Sequence, residues 1–175
     1  MFGEYDGFPE IRHRVVQFLY RVSKVRLQES VIKTLYRLNE RRRGFRFSSI
    51  PSVLGCKVLF DFGIADGLTF NYLNEETVKL SLEIVSKRSL PTLDFLCIVR
   101  YYKRIGRRKY RPLRFDYYIL RFQFYNGSGD IQIYHEKGIR RISIEDLIEF
   151  IIQKINEELA RDKQPKILLK YEGRL

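Results

Sequence analysis

Eight cations stand between Asp94 and Asp116 with no acid among them: Arg100, Lys103, Arg104, Arg107, Arg108, Lys109, Arg111 and Arg114. Tyr101, Tyr102 and Tyr110 are interleaved with them. Guanidinium groups grip phosphate oxygens through paired hydrogen bonds, and tyrosine rings stack on bases. The two side-chain types in one short segment therefore point to a polynucleotide. A second run, Arg41-Arg42-Arg43-Gly44-Phe45-Arg46, repeats the chemistry. The favourable charge of a helix C-terminus accounts for only one or two of those arginines. Blocking strand-to-strand aggregation does not require eight uncompensated cations, which leaves an acidic protein face as the rival partner.

The carboxylates allow a different chemistry. Asp94 and Asp116 fall near corresponding ends of two apolar segments, and Glu136 ends the next one. Three such groups converging at a sheet edge would hold Mg²⁺ for phosphodiester cleavage, so a Mg²⁺-dependent nuclease is the enzymatic alternative. Nothing else resembles a catalytic constellation. The chain has no GxxxxGK[ST], GxGxxG or GxSxG pattern. His13 and His135 lack neighbours at metal-ligand spacing, and Cys56 and Cys97 form no CxxC. The expectation is a binding protein rather than an enzyme, with no cofactor and no bound metal.

The charge distribution agrees with that expectation. The net charge is +12, from 33 basic and 21 acidic residues, and arginine outnumbers lysine by 21 to 12. Residues 1–57 carry 12 basic and 5 acidic side chains, residues 100–121 carry 9 and 1, and residues 122–175 balance at 9 each. A merely solubilising surface would spread the excess. The expected activity is therefore nucleic-acid binding through arginine–phosphate contacts, DNA or RNA alike, as in an accessory subunit of a replication, repair or transcription assembly. Its alternatives are the nuclease and a scaffold subunit for an acidic protein partner. No apolar run is long enough for a transmembrane helix, and the acidic start is unlike a signal peptide, so a cytoplasmic protein without membrane contact is expected. Many Arg, Lys, Ile and Tyr with one Met and no Trp resemble the composition of proteins from hot environments.

The positioning elements follow from periodicity. Ile11, Val15, Phe18 and Val22 fit a helix over 9–22, and Leu27, Val31, Leu35 and Leu38 fit a second over 27–40. Residues 48–55 read as a short third helix or a loop. Alternation over 57–73 predicts a hairpin turning at 63–67, and Asn74 caps a helix that closes at Lys87-Arg88. Strands are expected over 92–102, 113–125 and 131–136, with the basic segment between the first two turning at Ile105-Gly106-Arg107. Helix 144–160 has the widest apolar stripe, and 166–171 reads as a short last strand.

The resulting fold class is α+β: an antiparallel sheet of about five strands, in two hairpins and a meander, packed by helices. The chain reads as a single domain over 1–175, with a helical N-terminal lobe at 1–56 and an α/β core at 57–175. The first part also resembles a winged helix in its order of elements. Its wing turn, however, carries Asp66 and no cation, so a helical layer on the sheet is the reading carried forward.

Overall fold

The computed structural model describes residues 2–170. In chain order the elements are β1 (Gly3–Glu4), β2 (Arg14–Leu19), α1 (Lys24–Glu40), a 3₁₀ turn (Pro51–Val53), β3 (Cys56–Asp66) and β4 (Thr69–Tyr72). They continue with α2 (Glu75–Lys87), β5 (Thr92–Gly106), β6 (Lys109–Pro112), β7 (Asp116–Phe124), β8 (Ser128–Lys137), α3 (Ile144–Arg161) and β9 (Leu168–Lys170). The class is α+β, and among the described residues no helix is long and apolar enough to cross a membrane.

Each helix has a side-chain cap, and α1 begins three residues before the expected 27–40 because Ser23 caps it. The Ser23 and Ser143 hydroxyls accept from the backbone N–H three residues on, and Asn74 forms a reciprocal capping box with Thr77. The strands form one antiparallel sheet in the order β1-β4-β3-β5-β7-β8-β2-β9, with β6 alongside the far end of β5. Alternate positions of the central strands, including Phe60, Phe95, Cys97, Tyr118, Leu120 and Ile133, pack into one core with Leu27 and Leu35 of α1 and Ile151 and Ile155 of α3.

The opposite face is covered only in part. Residues 2–13 cross it as a strap. Tyr5 packs with Phe70, Leu96 and Ile119, and Phe8 packs against the same cluster. The Tyr5 hydroxyl donates to Asp94, the Arg121 guanidinium lies 4.8 Å from the Phe8 ring, and the His13 backbone N–H donates to the Ile133 carbonyl at 2.8 Å. Gly63 makes room for the start of the strap, since a Cβ there would stand 2.5 Å from the Phe2 ring.

Several expectations are corrected. Residues 9–22 are not a helix: β2 pairs with β8 from Arg14↔Ile133 to Leu19↔Ser128 and carries β9 on its other side. Phe18 is buried, while Ile11 is 67% exposed, off any apolar stripe. The unpaired backbone edge of β8 offers this β-branched segment a ladder, and tertiary pairing outweighs its helical spacing. Without that helix there is no helical N-terminal layer and no winged helix. The sheet has nine strands rather than about five. The 15-residue β5 serves β7 with its first part and β6 with its last, and β1, β2 and β9 come from segments not read as paired strands or, for β9, read only as a possible one. The first hairpin turns at Gly67-Leu68 rather than at 63–67, and the basic hairpin turns at Arg107-Arg108. Of the expected last strand, Tyr171 lies outside the described residues.

Candidate functional site

Helix α1 ends at Glu40, and its C-cap, Arg41, begins the arginine run. Gly44 then turns the chain back with φ +70°; a Cβ there would lie 2.7 Å from the Val58 carbonyl oxygen, so only glycine lets the backbone pass flush against β3. Phe45 clips the segment to the strand with both backbone hydrogen bonds to Val58, at 2.7 and 2.9 Å. Its ring packs edge-on against Phe60 and Phe150, and the Arg41 guanidinium sits 4.5 Å above it. Arg46 is thereby held beside β3.

The β5–β6 ribbon arrives from the other side. Tyr110 faces Arg104 across the ladder, and Tyr102, next to Lys57 of β3, lies on the same face of the sheet. Arg46 donates to the Tyr110 hydroxyl at 2.6 Å, and the Lys57 ammonium lies 4.7 Å from the Tyr110 ring and 5.8 Å from that of Tyr102. Arg41, Arg43, Gly44, Arg46, Lys57 and Tyr110 line one open cleft. The 41–46 turn and the Tyr110 side of the ribbon, more than fifty residues apart in the chain, thus meet in one cleft, while Lys103 and Arg111 lie on the other face of the ribbon, that of Tyr101 and Cys56.

The electrostatics of this surface are unbalanced. None of the cleft cations, and none of Lys103, Arg104, Arg107, Arg108, Lys109 or Arg111, forms an ion pair with a carboxylate among the described residues. Lys103 and Arg111 stand directly opposite each other in the ladder, a like-charge pair that costs stability until an anion joins it. The pKa of the Tyr110 hydroxyl is lowered from its ordinary value, first by the Arg46 hydrogen bond and then by the charges of Arg46, Arg104 and Lys57. Tyr5, Tyr20, Tyr72 and Tyr101 all move the other way, because burial dominates there. Arg108, at the ribbon tip, has φ +58°, an uncommon conformation for a residue with a side chain.

Not every residue expected at the site is there. Tyr101 is fully buried on the helix-covered face, where its hydroxyl donates to Asp116 at 2.6 Å. Burial and that bond push its pKa up. Strand alternation puts Tyr102 on the open face instead, and the burial phase of Phe95, Cys97 and Val99 is the signal that distinguishes the two. Arg100 is on the open face, but its guanidinium is engaged by Asp61 at 2.6 Å and by the Tyr102 hydroxyl at 3.1 Å. Arg42 does not line the cleft, and Arg114 is exposed between β6 and β7. Lys57 is the cleft residue that the sequence did not single out.

The carboxylates do not converge. Asp94 pairs in register with Arg121 and Asp116 with Val99, so they occupy opposite faces of the sheet, about 17 Å apart along the ladder. Asp94 receives two hydrogen bonds from Arg121, at 2.8 and 2.9 Å. Asp116 is fully buried. It accepts from Tyr101 and from the backbone N–H groups of Arg140 and Arg141 (2.8 Å each), and it faces His135 Nε2 at 3.1 Å. Glu136 is exposed at an irregularity in the β7–β8 ladder. Both aspartates are therefore structural, and among the described residues no three His, Cys, Asp or Glu side chains are grouped to hold a metal ion. His13 and His135 do meet, the His135 backbone N–H donating to His13 Nδ1 at 2.8 Å. Cys56 and Cys97 are buried and free.

Comparison with protein families, with curated proteins and with solved structures finds no match to this chain.

Proposed function

We propose that this protein binds nucleic acid through its phosphate backbone, without chemistry of its own. The observation that carries the reading is the meeting of the 41–46 turn and the β5–β6 ribbon around Tyr110, with no ion pair from their cations to a carboxylate among the described residues. Holding so many like charges together costs free energy that a polyanion recovers by releasing its condensed counterions. Arg41, Arg43, Arg46 and Lys57 form the floor of the contact, and Arg104, Arg107, Arg108, Lys109 and Arg111 form an arm beside it. Contacts of this kind give affinity and register with little sequence selectivity.

The test is a titration of fluorescent DNA and RNA across a salt series, with and without Mg²⁺. Binding should weaken linearly in log–log form as salt rises. Replacing Arg104, Arg107, Arg108 and Lys109 together by Ala should lower the slope by about 2–3. Negligible binding to every polymer at low salt would overturn the reading in favour of an acidic protein partner. Cleavage products appearing with Mg²⁺ would overturn its non-catalytic part.

A further inference from the structure

Beyond the cleft, the open face of the sheet carries a strip of partly exposed aromatic rings. Tyr110, Phe115 and Tyr117 follow one another along the same side of β5, and Tyr102 stands on β5 itself. Tyr102 and Phe115 meet edge to face at 5.8 Å. Each end of the strip has a cation beside a ring: Lys57 at Tyr110 and Tyr102, and Lys137 at 4.1 Å from Tyr117. Tyr110 lies opposite Arg104 and Tyr117 opposite Ile98, so the strip runs about 20 Å along β5. The three helices pack on the other face, and the strap crosses this one at Asp94, Ile119 and Gln132, short of Tyr102.

We infer that the bound polymer is single-stranded and that its bases stack on Tyr110, Tyr102, Phe115 and Tyr117 while its phosphates lie on the neighbouring cations. This inference rests on the phosphate-binding reading above. In a duplex the base faces are already stacked on one another, so rings beside cations add nothing to its binding. In a single strand the faces are free, and every base has one, so the strip is tolerant of sequence. A cation at each end of the row of rings gives phosphates flanking the stacked bases a partner.

The experiment compares three probes of equal length, ~12 nucleotides: a thymidine single strand, an abasic phosphodiester strand and a duplex. Each is titrated with the wild type, with Tyr102→Leu/Tyr110→Leu and with Tyr102→Phe/Tyr110→Phe. The thymidine strand should bind at least about tenfold more tightly than the other two. The leucine variant should bring it down to the abasic level, while the phenylalanine variant, which loses the same hydroxyl bond to Arg46, should keep the preference, and the two variants should bind the abasic strand equally. Equal abasic affinity of the two variants also reports that the leucine variant is folded. Equal affinity for all three probes, or a leucine variant that keeps the preference, would overturn the stacking inference and leave phosphate binding standing. No binding of any probe would overturn both.

Discussion

Arg108 and Gly44 show what the site demands of single residues. A left-handed backbone at Arg108 is better served by glycine, so an arginine there bears a conformational cost of about 1 kcal/mol. Arg108→Gly should raise stability by about that much in denaturant unfolding, yet weaken polynucleotide binding and lower its salt slope by about 1. A stability gain with unchanged binding would remove Arg108 from the contact. Gly44→Ala should act in the opposite sense. It places a Cβ against the Val58 carbonyl at a positive φ, costing about 2 kcal/mol or more. It should also separate Arg46 from Tyr110, which a pH titration of tyrosine absorbance would register as one less early-ionising group. That Arg41, Arg43 and Arg46 were basic and near a glycine stop is plain from the chain. That Lys57 joins them is not, because Lys57 is an isolated cation in an apolar strand until Phe45 pairs with Val58.

At the scale of elements, local signals succeeded where an element's own residues decide its form. All three helices with a cap residue and an apolar stripe are where periodicity put them, and so are the central strands. Segment 9–22 failed because its conformation is chosen by the free edge of β8, not by its own spacing. The basic hairpin was legible, but its turn was displaced by one residue because Arg108 adopts a conformation usually left to glycine or asparagine. The strap has a pH dependence of its own. His13 Nδ1 accepts from the His135 backbone, a role only the neutral ring fills, and its pKa is lowered by burial first and then by the charges of Arg140 and His135. With a folded pKa below the unfolded one, the unfolded chain takes up the proton first. Stability is thus full above about 6.5 and is lost as pH falls from there through the lower folded value. Thermal unfolding at about pH 7 and about pH 5.5 should show a loss in the wild type that is smaller in His13→Ala.

At the scale of the whole molecule, the question is whether +12 acts as a diffuse field or as a built surface. Two variants, each losing four cations, separate these. One carries Arg104, Arg107, Arg108 and Lys109 changed to Ala, the other Lys79, Lys87, Arg88 and Lys166, all exposed and none lining the cleft. The first should lose binding at least about tenfold more than the second at physiological salt, where the Debye length of about 8 Å screens distant charge. Equal losses would mean that net charge alone sets affinity. What the sequence determined by itself was what composition and short-range periodicity can carry: the α+β class, three of the helices, the central strands, and two uncompensated basic runs with tyrosines among them. What only the tertiary structure decided was which distant segments share an edge or a face. A ladder between residues far apart in the chain leaves no local periodicity, and a carboxylate's partners are not its neighbours. So β2 became a strand, Asp94 and Asp116 fell on opposite faces, Tyr101 turned into the core and Tyr102 out of it, and the two basic runs met around Tyr110.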